Sequence, residues 1–294
     1  MPFGIAVIYN SEYSLEDNLM NIVTTTSVFP HDYPAEWALT RLAGLGYEYL
    51  DLAIDYCAIN TASPYLTDNW QDWAKNLREL AESLGVWYTH SHGVGNAASR
   101  SMETMRGFEL CRILGTRYTV IHPVHKRADG SIIDNDDEFV SINTKSYIPL
   151  IEVAERNGVI LLTENVLWGS SIRPSAISAL VSEVNSPYFG WCYDTGHTNA
   201  RGHSYKELLG LHNAPLSLHI HDNHGAHDEH LLPGDGNIDW KECLDTLITV
   251  GYKGEIVLEA HHQSLDAVDE DRDNILTDLL GRAEKMRTYF KKNT

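Results

Sequence analysis

Basic residues are scarce in this chain of 294 residues: 22 lysines and arginines face 41 aspartates and glutamates, for a formal charge of −19. Such a surface repels phosphate backbones and anionic membranes, so neither is expected as a partner. No apolar run approaches the ~18 residues of a transmembrane helix. The opening MPFGIAVIYNSEYSLEDN has no basic residue before its short apolar stretch, so it does not read as a secretory signal. Cysteine is sparse as well. Cys57, Cys111, Cys192 and Cys243 form no CxxC pair, which argues against a disulfide framework or a cysteine zinc site and for reduced thiols in a cytoplasm. No linker or low-complexity segment divides the chain, so residues 1–294 read as one domain. A hydrophobic content of 43% excludes global disorder.

What recurs instead is a short β-branched or aromatic run, a loop, and then a helical pattern often closed by glycine. Strands are expected at about 3–8, 47–52, 86–91, 117–122, 159–164, 188–194, 216–221 and 255–260. Between them lie segments such as DNWQDWAKNLRELAESLG and SYIPLIEVAERNG, whose apolar residues recur at three- and four-residue spacing. Eight βα units, with a closing helix around 272–291, predict an α/β fold of one kind: a single (β/α)8 TIM barrel. An open doubly wound sheet would normally offer a glycine-rich turn after its first strand, and GIAVIYNSEYS has none.

Histidine is abundant and crowded: 14 of the 15 lie between His90 and His262, five of them within His219–His230. Six successive strands end in or near a metal-ligating type, namely His90, His122, Glu164, Asp194, His219 and Glu259. In a barrel those ends converge on the face where active sites sit. In LSLHIHD the alternation sends Leu216, Leu218 and Ile220 outward and His219 and His221 inward. Glu164, Asp194, His219 and Glu259 would form a mixed oxygen and nitrogen site for Mn, Zn, Co or Mg, and no lysine or arginine occupies the strand ends to neutralise them. Around them, His90, His122, His197, Asp228 and His230 are expected to touch substrate or an additional metal. His221, His224, His227, His261 and His262 are expected in loops or on the surface. Arg173 and Arg201 follow the fifth and sixth strands, where they could grip a phosphate or carboxylate or simply be solvated. Trp70, Trp168 and Tyr193 are candidates for a substrate wall or for the core.

The motifs TEN at 163–165, CYDTGH at 192–197, LHIHDN at 218–223, DEHLLPGDGNIDW at 228–240 and GYKGEIVLEAH at 251–261 carry a family likeness. The chain resembles the sugar phosphate isomerases and epimerases of the xylose isomerase-like TIM barrels, a superfamily that includes endonuclease IV. The resemblance implies one divalent ion on Glu164, Asp194, His219 and Glu259, with the two glutamates as acid and base on opposite faces of a sugar. All nine ligand positions of the endonuclease's trinuclear zinc site are also similar here: those four plus His90, His122, His197, Asp228 and His230. That keeps two or three ions in view.

The expected activity is therefore that of a metal-dependent isomerase or epimerase of a small sugar or sugar phosphate, working through an enediolate. A dehydratase of the inosose or dehydroshikimate type is the alternative. An endonuclease IV-like multi-zinc phosphoester hydrolase and a sugar-binding barrel with a vestigial site follow. The sequence leaves the sugar, the native metal and any homo-oligomer open.

Overall fold

A computed structural model describes residues 20–294. Eight parallel strands form one sheet: β1 (Ile22–Thr25), β2 (Tyr49–Ala53), β3 (Trp87–Asn96), β4 (Tyr118–His122), β5 (Ile160–Glu164), β6 (Phe189–Asp194), β7 (Ser217–His219) and β8 (Ile256–Leu258). Each pairs with its neighbour in sequence, β1 also pairs with β8, and a bridge between Ile220 and Leu258 closes the ring. The fold is a single (β/α)8 TIM barrel.

The outer layer comprises α1 (Ala35–Gly44), α2 (Ile54–Ile59), α3 (Trp70–Leu84), α4 (Met102–Leu114), α5 (Asp136–Asn157), α6 (Pro174–Val184), α7 (Thr195–Ala200), α8 (Trp240–Thr249), α9 (His262–Leu265) and α10 (Asp269–Asn293). Among the described residues, no helix is long and apolar enough to cross a membrane.

Seven of the expected strands are present within a few residues of their places. The expected strand at 3–8 lies outside the described residues, and the barrel's first strand is instead the β-branched run Ile22–Thr25. That run is only four residues long and continues without a break into TSVF, so it offered no punctuation to mark it as a strand.

Local chemistry sets the helix limits. In α5 the Asn135 side chain accepts from the Glu138 amide at 2.9 Å, and Asp136, Asp137 and Glu138 sit at the positive end of the helix dipole. Gly158 ends the helix at φ +67, a left-handed conformation that glycine adopts without a side-chain clash. Strand alternation then sorts the side chains. Leu50, Leu52, Leu161 and Leu218 join the main core beneath the helices, while Tyr118, Val120, Leu162 and Cys192 form a separate apolar cluster within the barrel. Polar groups share the interior with this cluster, where the His90 ring lies 5.1 Å from that of Tyr118. There His90 lies 3.0 Å from Glu255 and 2.9 Å from Ser217, and Asp51 is fully buried.

Tyr147 of α5 ties the two layers together: its hydroxyl donates to the Ile121 carbonyl at 2.6 Å and lies 2.9 Å from Thr163 Oγ1. Replacing it with phenylalanine leaves both groups short of a partner in a dry environment. Tyr147→Phe should therefore lose about 1–3 kcal/mol in urea denaturation. A change below about 0.5 kcal/mol, the range of neutral surface substitutions, would show that this hydroxyl does not hold α5 to the barrel.

Candidate metal centre

Glu164 ends β5, Asp194 ends β6, His219 ends β7 and Glu259 follows β8 directly. All four are buried, and each offers one ligand atom within 4.8 Å of those of the others. His219 Nδ1 sits 3.3 Å from Glu164 Oε1 and 3.3 Å from Glu259 Oε2, between the two glutamates. His122 Nε2 lies 3.2 Å from the other Glu164 oxygen. Asp194 accepts the His197 amide at 2.6 Å, so the carboxylate caps α7 and is held in place by the helix it starts.

This cluster is electrostatically strained as protein alone. Both carboxylate oxygens of Glu164 and both ring nitrogens of His219 are buried without a hydrogen-bond partner among the described residues. Burial would raise the Glu164 pKa, but His219, His122 and His197 hold it well below the usual carboxylate range. Burial would likewise lower His219, yet Cys192, Glu259 and Glu164 raise it well above its ordinary value. Glu164 and Glu259, both held below the usual carboxylate range, are thus charged and call for positive charge at the centre of the cluster. Three carboxylates and an imidazole in this arrangement fit a divalent cation of borderline hardness.

A second group adjoins the first: His197, His221, Asp228 and His230 also bring ligand atoms within 4.8 Å of one another. His197 Nδ1 contacts the Asn165 carbonyl at 2.9 Å and His230 Nδ1 the Glu259 carbonyl at 2.8 Å, so in each case Nδ1 carries the proton. Their Nε2 atoms then converge on Asp228, each at 3.2 Å. Fixing one ring nitrogen on a backbone carbonyl is how histidine ligands are commonly oriented. His230 holds this pose at φ +47, a left-handed conformation unusual for a side chain of its size. The loop carrying Asp228 and His230 is pinned by Asp222, whose carboxylate accepts from the Gly234 amide at 2.7 Å and from Trp240 Nε1 at 2.8 Å.

Three positions differ from expectation. His90 belongs to neither group: it is fully buried deeper in the barrel, on Glu255 and Ser217. His92 reaches the mouth instead, with Nδ1 3.3 Å from Glu259 Oε1, and groups with Glu164 and His219. The cause is a register shift between β2 and β3, together with a β3 that runs on to Asn96. The period-two spacing in THSH placed both histidines on one face and was the available signal. His221, expected in a loop or on the surface although the strand alternation pointed it inward, is fully buried, with Nε2 3.1 Å from Asp194. His261 stacks on His230 at 4.2 Å, and burial together with His230 brings its pKa down to about 3. His224, His227 and His262 are exposed.

Sequence reading also passed over two acids. Asp55, just after β2, has its pKa raised by burial against the pull of His92. Burial pushes Asp51 up to about 6, and neither of its oxygens has a hydrogen-bond partner among the described residues. A charged residue inside the apolar run YLDLA was the signal for Asp51. Of the aromatic candidates, Trp70 and Tyr193 are core, whereas Trp168 stands 43% exposed on the rim. A cavity of about 580 Å³ between the loops after β1 and β2 is walled by Phe29, Tyr33, Trp37 and Tyr56, and none of the candidate ligands lines it.

The family model for the xylose isomerase-like TIM barrel matches residues 39–280. The chain belongs to this family. Solved structures of the same fold include a D-tagatose 3-epimerase-like protein (TM-score 0.67, 21% identity, covering 90% of this chain and 99% of that one). Another is the IolI protein with a bound zinc atom (TM-score 0.72, 18% identity, 94% and 99% covered). An inosose dehydratase from Lactiplantibacillus plantarum is 30% identical over 99 residues, 28% of this chain and 33% of that enzyme. The chain spans about half the length of the uncharacterised curated relatives it matches, 51% and 49%.

Within this xylose isomerase-like barrel the tightest packing at the centre is at Gly196, where an added Cβ would lie 2.0 Å from the His221 ring. The ring is fully buried and cannot swing out. Gly196→Ala should cost about 1–3 kcal/mol, as overpacked sites do, and should shift the His221 ring resonances in NMR. Unchanged stability and resonances would mean that this contact is slack.

Proposed function

We propose that the chain is a divalent-metal-dependent isomerase or epimerase of a small sugar or sugar phosphate. The observation that supports this best is the placement of Glu164 and Glu259 on either side of His219, each 3.3 Å from its Nδ1. Glu164, Asp194, His219 and Glu259 would hold the ion. When bound, such an ion supplies Lewis acidity that makes the carbon beside a carbonyl easier to deprotonate.

The proton transfers fall to the chain's own carboxylates. One of Glu164 and Glu259 takes the proton from the carbon beside the carbonyl, leaving an enediolate; the other, having first taken a proton from solvent, gives it to the opposite face, and the abstracted proton passes to solvent. Both are held as carboxylates by their histidine neighbours, Glu259 by His219 and His92 against the opposing effect of burial, so each is in the form a base requires. His122, His197, Asp228 and His230, joined by His92 and His221, ring these glutamates. There they orient substrate hydroxyls or accept an additional ion.

The second reading is dehydration, which shares the first proton abstraction and then expels a β-hydroxyl. The partial likeness to inosose dehydratase supports it, and the His197–Asp228–His230 group offers a proton donor for the departing hydroxyl. Endonuclease chemistry is less well supported, since a charge of −19 opposes a duplex phosphate backbone.

Turnover of a sugar panel in deuterated water separates these readings. An isomerase or epimerase incorporates solvent deuterium beside the carbonyl without net loss of water, whereas a dehydratase loses water. Glu164→Gln and Glu259→Gln each keep one coordinating oxygen but remove the base. Each should retain metal while turnover falls about 10²–10⁴-fold. Near-normal exchange in either metal-loaded variant would remove that glutamate from the mechanism.

A further inference from the structure

Arg173 and Arg201 both sit beyond strand ends on the catalytic face, yet their surroundings differ. Arg173 is committed to Asp136 at 2.6 Å and to Asp134. Arg201 has no carboxylate partner among the described residues. Its Nε donates to the Leu167 carbonyl at 2.8 Å, and its guanidinium lies 4.9 Å from the centre of the Trp168 ring. Lys126 Nζ lies 5.8 Å from the same ring and likewise has no ion pair among the described residues.

In a chain with 41 acidic and 22 basic residues, two cations gathered without an acid stand out. Cations in the loops that carry Lys126 and Trp168 are paired: Arg127 with Glu138 and Arg173 with Asp136. With Nε anchored and the guanidinium over the Trp168 ring, neither Nη group of Arg201 has a hydrogen-bond partner among the described residues, and these groups form the fork that binds carboxylate or phosphate through two parallel bonds.

The three residues come from successive loops that are knitted to one another and to the metal candidates. Lys126 follows β4 in a segment bridged to Ile132, and the neighbouring Ile133 carbonyl accepts from the Ser170 amide at 2.9 Å. Trp168 stands four residues beyond Glu164. Arg201 closes α7, the helix that Asp194 caps and that carries His197. Asn165, beside Glu164, accepts from the Asp194 amide at 2.7 Å, locking the two loops together.

We propose that Arg201, held on Trp168 with Lys126 alongside, is the subsite for an anionic group of the substrate, a phosphate ester or a carboxylate. This rests on the sugar-enzyme reading above and narrows it to acidic sugars.

The test is calorimetric binding of matched probes to the metal-loaded protein: D-fructose, D-fructose 6-phosphate, D-fructuronate and inorganic phosphate. Wild type should bind an anionic sugar at least about tenfold more tightly than D-fructose, the order expected of a charged hydrogen-bonded pair. Arg201→Gln should remove that excess and leave D-fructose unchanged, Arg201→Lys should keep part of it, and Lys126→Gln should reduce it less. A preference for the phosphate ester alone identifies phosphate, and one for the uronate alone identifies carboxylate. Equal binding of neutral and anionic sugars by wild type, or an anionic preference that survives Arg201→Gln, overturns the subsite while leaving the sugar-enzyme reading intact. Arg201-dependent binding of inorganic phosphate with no sugar bound upholds the anion site and counts against the sugar-enzyme reading.

Discussion

Three buried carboxylates meet at the mouth of this barrel without a lysine or arginine among them, and much of the catalytic face is arranged around that fact. Removing Glu164, Asp194 and Glu259 from water is costly unless positive charge faces them. In the protein alone histidines take that part, with His219 between the two glutamates and His122, His197 and His92 outside. The unpartnered atoms of Glu164 and His219 show that imidazoles satisfy the site incompletely.

The barrel makes such a cluster affordable. Each ligand candidate is fixed by the strand beneath it, and several of its neighbours are oriented by backbone carbonyls rather than by other side chains. Asp194 is both a cluster member and the cap of α7, and Asp222 secures the loop that brings Asp228 and His230 over the mouth. A constellation supported in this way keeps its geometry while charge changes within it, which is the condition for electrostatic catalysis. The same linkage extends outward to Trp168 and Arg201 through the Asn165–Asp194 and Arg201–Leu167 hydrogen bonds.

Much of this was legible in the sequence because barrels place strand ends on one face. The residues closing VILLTE and YFGWCYD, and His219 late in LSLHIHD, had to converge once the eight units were recognised, and Glu164, Asp194 and His219 do. What was not legible depended on register and on loops. His90 and His92 share a face, and only the shift against β2 decides which of them reaches the mouth. His221 sits at the very end of the expected strand at 216–221, where the alternation turned it inward but nothing separated it from the histidine-rich loop that follows. β7 stops at His219, and pairing through Ile220 and Asp222 is what carries the chain inward beyond it. Asp55 lies in the first turn of the short helix α2, in a segment with no motif of its own. Arg173 and Arg201 were equivalent in sequence, and only Asp134 and Asp136, far off in the chain, separate them.

The most direct measurement is metal uptake by chelator-treated protein, titrated with Mn²⁺ or Zn²⁺ and followed by calorimetry and thermal unfolding. At least one ion per chain should bind, the melting temperature should rise with ion concentration as expected for a ligand of the native state, and both effects should vanish in a Glu164→Ala, Asp194→Ala double variant that remains folded. Failure of the wild-type chain to take up an ion, or uptake undiminished in that variant, would contradict a metal centre at the four strand ends.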